Sequence, residues 1–291
     1  MVEPQADFPL ARLTTVRTGG AAERFARPGS MRELRALLEW ARERRLAVHV
    51  LGSGSNLLVA DAGVRGLVLK LDRELARIEG DGAGLRCGAG ARLPAVAARA
   101  AALGLAGIEF GVNIPGTVGG AVRMNANAYD GALAEVIEWV DIVTVDGVER
   151  RGPGELGFAY RSSALRAGEI VARARFTLTP AAPDAVRATL SAMRERRHAA
   201  QPKGIRTFGS TFKNPPGHSA WELLLAAGAG KLAVGDARFS SKHANFVENA
   251  GGASTAEILE LMAAARELVR ARFGVELEPE VQLLGEVRFP W

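Results

Sequence analysis

A single cysteine, Cys87, in 291 residues excludes an intramolecular disulfide and any zinc or iron-sulfur site built on clustered thiolates. That usage fits a reducing compartment. Long apolar runs are also missing: nowhere do about 18 uninterrupted apolar residues occur, the length that marks a membrane-spanning helix. The opening MVEPQADFPLARL has neither a basic start nor an apolar run of signal-peptide length, so a cytoplasmic protein with no membrane insertion is expected. His49, His198, His218 and His243 show no metal-ligand spacing, and no metal is expected. Charge of one sign is nowhere concentrated. The 37 Lys and Arg stand among 32 Asp and Glu, as in RELRALLEWARERR and MRERRHAA, for a net of +5. Interleaved charge reads as solvated helix faces and not as a nucleic-acid surface, while a modest positive excess favours a small polyanion such as a nucleotide diphosphate. No internal repeat, GxxxxGK[ST] loop or GxSxG elbow is present.

What is there is enough apolar material, 48% of residues, for two or three packed cores. Ser30 and Glu33 form a capping-box pattern ahead of Leu34, Leu37, Leu38 and Ala41 at helical spacing, which predicts a helix from Met31 to about Arg45. A buried strand follows over Ala47 to Leu51, then short strands at LLVA and from Gly66. Further on, the pattern predicts a strand at Leu85 to Cys87, a small-residue helix from Pro94 to Leu103 stopped by Gly104, a β-like VIEWVDIVTV turning at Asp146-Gly147, and an alternating strand IVARARFTLT. TPAAPDA, Thr179 to Ala185, reads as a linker before a helix running to about Ala200. Ser219 and Glu222 cap a helix from Trp221. A longer helix, Ala256 to Phe273, carries Ile258, Leu261, Met262, Ala265, Leu268 and Val269 on one face and stops at Gly274.

Two stretches ask for a ligand. LGSGSN, Leu51 to Asn56, sets glycines and hydroxyls directly after a strand, so that backbone N–H groups can converge on phosphate oxygens. It is not a Rossmann fingerprint, because Leu57 stands where the third glycine belongs and strand follows, not helix. A plain tight turn is the competing reading. Gly107 to Gly131, with Pro115, several glycines and Asn113, Asn125 and Asn127, reads as a long irregular loop wrapped round an extended polar ligand.

LGSGSNLLV, IPGTVGGAVRMNANAY, FAYRSS, FGSTFKNP, SSKHANFVEN and LEPEV occur in that order, and together they resemble the UDP-N-acetylenolpyruvoylglucosamine reductase family, in its shorter type, across almost the full chain. The resemblance implies an α+β chain: a vanillyl-alcohol-oxidase/PCMH-like FAD-binding fold of two α+β subdomains, at 1–68 and 69–183, and a C-terminal α+β substrate-binding domain at 184–291. It implies NADPH-dependent, FAD-mediated reduction of UDP-N-acetylglucosamine enolpyruvate to UDP-N-acetylmuramate, a step of peptidoglycan synthesis and so of cell-wall biogenesis, cell shape and division. UDP-sugar and NADPH are the implied partners. By resemblance Gly52, Ser53, Gly54, Ser55, Asn56 and Leu57 hold the pyrophosphate, and Pro115, Gly116, Thr117, Gly119, Gly120 and Asn125 lie along the flavin. Neither motif contains a histidine, so the FAD is expected to be non-covalent.

The implied reaction adds a hydride to the terminal alkene carbon, develops charge on the neighbouring carbon and its carboxylate, and needs a proton there. The resemblance assigns the carboxylate clamp to Arg161, the proton to Ser210 and further stabilisation to Glu280. Tyr160, Lys213, Asn214, His243 and Asn245 are the candidate substrate contacts, although Lys213 and Asn214 could equally anchor a turn. Two departures stand out. Gly230 and Lys231 are exchanged relative to the family order, and Asn127 replaces a usual glycine, where a left-handed backbone would tolerate asparagine. A same-fold flavin oxidase of an alcohol or sugar is the alternative enzyme, and a nucleotide-binding module the alternative without catalysis.

Overall fold

A computed structural model describes residues 3–291; Met1 and Val2, the first residues of the expected N-terminal subdomain, lie outside the described residues. The chain forms two compact units. One comprises the residues up to Gln5 with Arg24–Ser53 and Gly66–Arg197, the other Ala6–Glu23, Gly54–Arg65 and His198–Trp291. This grouping does not follow cuts at 68 and 183.

The first unit is built on a five-stranded sheet in the order Val148–Arg151, Ile137–Val143, Ile170–Thr177, Gly84–Gly88, Ile78–Gly80. Each pairing is antiparallel, with Val140 opposite Ala174 and Ala174 opposite Cys87. Ile170, Ala172, Ala174 and Phe176 turn into the core while Arg175 reaches out to Asp81 at 3.1 Å, the alternation the sequence shows. The Asp146-Gly147 turn closes with Thr144 N–H donating to Gly147 O at 2.9 Å. Helix Met31–Glu43 buries Leu34, Leu37, Leu38 and Ala41 in the same core, and Ser30 Oγ accepts from Glu33 N as expected. Cys87 is fully buried in it, and burial pushes its thiol up to about 12. We therefore expect native protein at pH 8 to resist a thiol-specific dye until denatured. Rapid native labelling would contradict that burial.

Some expectations change. The strand after the first helix is Val48–Val50, pairing in parallel with Val64–Leu69; it is an edge strand with Val50 44% exposed, not a buried one. Thr179–Pro180 is no linker: it pairs with Leu105–Ala106, and helix Pro183–Ala200 packs Val186 and Leu190 on Ala97, Ala101 and Val112. Nor is Gly107 to Gly131 irregular. It contains a 3-10 turn Glu109–Asn113, helix Val118–Arg123 and the short strands Asn127–Ala128 and Gly131–Ala132. Its glycines serve close packing: a Cβ would come within 2.9 Å of Leu93 at Gly111, 3.1 Å of Ala89 at Gly119 and 2.9 Å of Phe110 at Gly131. Tertiary contact overrides low helix propensity there.

In the second unit, Ala233–Val234, Ala237–Phe239 and Val247–Asn249 form an antiparallel sheet, and Leu57–Val59 pairs in parallel with Gln282–Leu284. Helices Ala220–Ala227 and Thr255–Phe273 bury Leu224, Ile258, Leu261, Met262 and Ala265 beside Phe208 and Phe212. Leu268 flanks that stripe and is 37% exposed, because the core-facing arc is narrower than the apolar pattern. Polar bonds explain why early segments join this late one. Asp61 accepts from the N–H groups of Thr255 and Ala256, both at 2.9 Å, and places an acid at the helix N-terminus. Thr255 Oγ1 donates to Val59 O at 2.7 Å, and Asn249 Nδ2 to Val16 O at 2.9 Å. Among the described residues no helix is long and apolar enough to cross a membrane.

Candidate active site

The LGSGSN loop crosses from one unit to the other between Ser53 and Gly54. In the first unit, a Cβ on Gly52 would lie 2.6 Å from Thr117 Oγ1, so glycine alone allows these two loops to meet. Thr117 caps helix Val118–Arg123 by accepting from Gly120 N at 3.5 Å. The N–H groups of Val118 and Gly119 are already taken by Ala91 O and Ala89 O, at 2.9 and 2.8 Å. A Cβ on Gly116 or Gly120 would make only ordinary contacts, 3.8 Å from Ile114 and 3.6 Å from Thr117 Oγ1, and Pro115 and Gly120 are exposed. A glycine-sided surface of this kind lets a flat ring lie against backbone.

Asn125 turns inward. Its backbone is left-handed at φ 40°, its Nδ2 donates to Ala159 O at 3.2 Å, and its Oδ1 accepts from Ala134 N at 3.1 Å. Asn113 similarly donates to Tyr129 Oη and Met193 O, at 2.9 and 2.8 Å. These amides hold the loop together where the sequence reading had them matching a ligand. The left-handed residues of NANAYDG are Asn125, Tyr129 and Asp130, and not Asn127, which lies in a short strand.

Tyr160 and Arg161 form the tip of a tight turn closed by Ala159 and Ser162, whose backbones exchange bonds of 3.1 and 3.2 Å. Arg161 sits at φ 55°, which strains a side-chain-bearing residue, and stored strain of this kind gathers at functional positions. Its Nη1 donates to Asn127 Oδ1 at 2.8 Å and Asn127 O at 3.3 Å. The guanidinium lies 5.2 Å from the ring of Tyr160, which is 49% exposed. Asn127 thus aims Arg161, a role the sequence reading missed although the departure from glycine marks the position.

In the second unit, Gly54 at φ 64° could not carry a Cβ, which would meet Leu13 O at 2.2 Å. Its carbonyl accepts from Thr15 N at 3.0 Å. Ser55 is partly exposed, and its carbonyl lies 3.8 Å from where a Cβ on Gly209 would stand. Asn56 Nδ2 donates to Glu280 O at 3.2 Å, while Asn56 O accepts from Gln282 N at 3.1 Å; Leu57 then pairs opposite Gln282. The loop and LEPEV are therefore neighbours.

One ladder unites the rest. Glu280 N donates to Thr211 O at 2.9 Å and Lys213 N to Glu278 O at 2.8 Å on one side; Thr211 N donates to Asn245 O at 2.8 Å and Ser210 bridges Phe246 on the other. Thr211 and Phe212 are both buried, while Ser210, Lys213 and Glu280 stay partly exposed. Among the described residues the Ser210 hydroxyl forms no hydrogen bond with protein groups. Asn245, only 4% exposed, spends both amide ends on Phe212, each at 2.9 Å. It is a brace, and burial removes it from substrate. Asn214 Oδ1 accepts from Ala220 N at 3.0 Å and anchors the turn, and Lys213 pairs with Glu278 at 3.1 Å. His243 packs edge-on to Phe246 at 4.6 Å, accepts from Asn245 N through Nδ1, and burial lowers its pKa, so a neutral ring is favoured. Lys231 is exposed at the end of the turn Ala229–Lys231.

Comparison with known proteins gives the same picture. Residues 201–284 match the family described as UDP-N-acetylenolpyruvoylglucosamine reductase, C-terminal domain, and residues 22–151 match a FAD binding domain. UDP-N-acetylenolpyruvoylglucosamine reductase 2 of Symbiobacterium thermophilum is 46% identical over 285 residues, covering 97% of this chain and 92% of the relative. A reductase of the same name from an Anaeromyxobacter species is 46% identical over 280 residues, covering 96% and 88%. The crystal structure of the reductase MurB from Thermus caldophilus superposes with a TM-score of 0.84 at 36% identity, covering 98% of this chain and 99% of that one. The expected FAD-binding fold followed by a substrate domain is thus present.

Proposed function

This chain belongs to the UDP-N-acetylenolpyruvoylglucosamine reductase family, and from that premise we propose which of its residues bind, hold charge and move the proton. It is an NADPH-dependent flavoprotein oxidoreductase that uses FAD to reduce UDP-N-acetylglucosamine enolpyruvate to UDP-N-acetylmuramate, a peptidoglycan precursor. Its glycine loops suit the cofactor: Gly52 packs directly on Thr117 and so brings the two motifs together, while Gly116 and Gly120 present little side-chain bulk on a partly exposed backbone. Gly52 to Leu57 would hold the diphosphate and Pro115 to Gly120 the ring system, without a covalent link. Held there, FAD would supply hydride chemistry to the enolpyruvyl group, with NADPH as the reductant.

Arg161, held by Asn127, grips the substrate carboxylate and stabilises the charge that develops on it. Ser210 delivers the proton to the carbon beside that carboxylate. Glu280, whose backbone is fixed by Thr211 and Asn56, holds the hydrogen-bonding order around that proton. Tyr160 and Lys213 remain exposed enough to touch the UDP-sugar, and His243 can do so only as a neutral ring. A cytoplasmic setting is part of the proposal, supported by the lone reduced Cys87 and the use of NADPH.

The observation that carries the assignment is the ladder that sets Ser210, Glu280 and the Asn56 loop side by side. Anaerobic stopped-flow tests it. The yellow protein should be bleached by NADPH and recover its colour on mixing with the enolpyruvyl UDP-sugar, and a protein reoxidised by oxygen alone would refute the reaction. Asn127→Ala should raise KM for the enolpyruvyl substrate about 10-fold, the worth of one charge-assisted hydrogen bond, and leave flavin reduction by NADPH unchanged. An unchanged KM would show that Arg161 needs no support from Asn127.

A further inference from the structure

Lys70 directly follows strand Val64–Leu69 and is only partly exposed, and its ammonium donates to the carbonyl of Gly52 in the LGSGSN loop. A lysine usually keeps its charged end in water. Here no carboxylate touches it among the described residues; Asp72 acts only at longer range. Burial first, and then Arg27 and Arg92, hold its pKa below the ordinary lysine range. A half-buried ammonium held against a backbone carbonyl, with two arginines adding positive potential, costs free energy unless an anion joins it.

The loop has no freedom to relieve this. Leu51 N is fixed to Leu69 O at 2.8 Å just before it, and Gly52 is pressed so closely to Thr117 that a Cβ would lie 2.6 Å from Oγ1. We propose that Lys70 is a positioning residue of the cofactor site, fixing the Gly52 carbonyl and with it the start of the LGSGSN loop beside the FAD diphosphate, whose negative charge offsets that of Lys70. The proposal rests on reading Gly52 to Asn56 as the diphosphate loop. Removing the ammonium frees the carbonyl and lowers the positive potential together.

The test is FAD and riboflavin titration of the full chain, stripped of flavin, as wild type, Lys70→Met, Lys70→Gln and Lys70→Arg, followed by flavin fluorescence. Lys70→Met and Lys70→Gln should weaken FAD binding by about 10- to 100-fold and riboflavin binding by less than about twofold, because riboflavin has no diphosphate. Lys70→Arg should recover most of the FAD affinity. FAD binding unchanged in both neutral variants overturns the proposal, and so does an equal loss for FAD and riboflavin, which would mean general damage. A wild type that binds no FAD removes the loop reading itself; a wild type that binds FAD while Lys70→Met also does so equally removes only the role of Lys70.

Discussion

Ser210→Ala should leave the reduction of flavin by NADPH at its wild-type rate and slow reoxidation by the enolpyruvyl UDP-sugar by about 1,000-fold, within the range general-acid catalysis contributes. The structure makes this a clean experiment. Because the Ser210 hydroxyl bonds to no protein group among the described residues, deleting one oxygen breaks nothing in the fold, and thermal stability should change by less than about 0.5 kcal/mol. A fall in rate would then report chemistry alone. A serine hydroxyl is a weak acid, so under the proposed role it must hand over its proton while being resupplied; Glu280, whose N–H binds Thr211 O beside Ser210, is the group proposed to order that exchange. Solvent deuterium should slow reoxidation at least as strongly in Ser210→Ala as in the wild type, because delivery of the proton from solvent then limits the rate. Equal losses in both half-reactions would remove Ser210 from the role of acid.

The half-reactions divide along the same line as the legibility of the sequence. The glycines of LGSGSN announce a backbone that must turn left-handed and pack closely, and Gly54 at φ 64° with Leu13 O where a Cβ would be is the physical content of that signal. Helices announce themselves by caps and stripes: Ser30, Ser219 and Ser254 each accept from the N–H three residues on. What the sequence hides is long-range exchange. Nothing local in residues 6–23 or 54–65 tells that they pack with 198–291; Asp61 capping the helix at Thr255 and Thr255 bonding Val59 become visible only in three dimensions. Polar residues in a motif are the second blind spot. Asn113, Asn125, Asn214 and Asn245 have the chemistry of ligand contacts, yet each spends its amide on backbone, since a loop that wraps a ligand must first satisfy its own peptide groups. Motif resemblance identifies which residues matter and is silent on whether they touch substrate or hold the residues that do.

Asn245 gives the sharpest case of that difference. It is 4% exposed, its Oδ1 accepts from Phe212 N and its Nδ2 donates to Phe212 O, each at 2.9 Å. Phe212 is itself wholly buried, so Asn245→Ala leaves a peptide N–H and C=O without partners in a dry core. Each orphaned group costs about 1–3 kcal/mol, and the pair should lower stability by roughly 2–5 kcal/mol. For a chain of this size that corresponds to a fall of about 5–15 °C in Tm. The loss should also reach the chemistry. Phe212 lies two residues after Ser210 and bridges Pro279, the neighbour of Glu280, so loosening its peptide shifts the acid and the carboxylate together. Reoxidation by substrate should slow by more than about 10-fold below the new Tm, with the change in kcat, while flavin affinity stays near wild type. A substrate contact would behave otherwise: Tm unchanged and KM raised alone. Asn245→Asp separates the cases further, because a carboxylate can still accept from Phe212 N but cannot donate to Phe212 O, and its buried charge lacks a cation within the brace. It should be at least as destabilised as the alanine variant at pH 8 and recover as the pH falls toward 5, where protonation restores a donor and removes the charge.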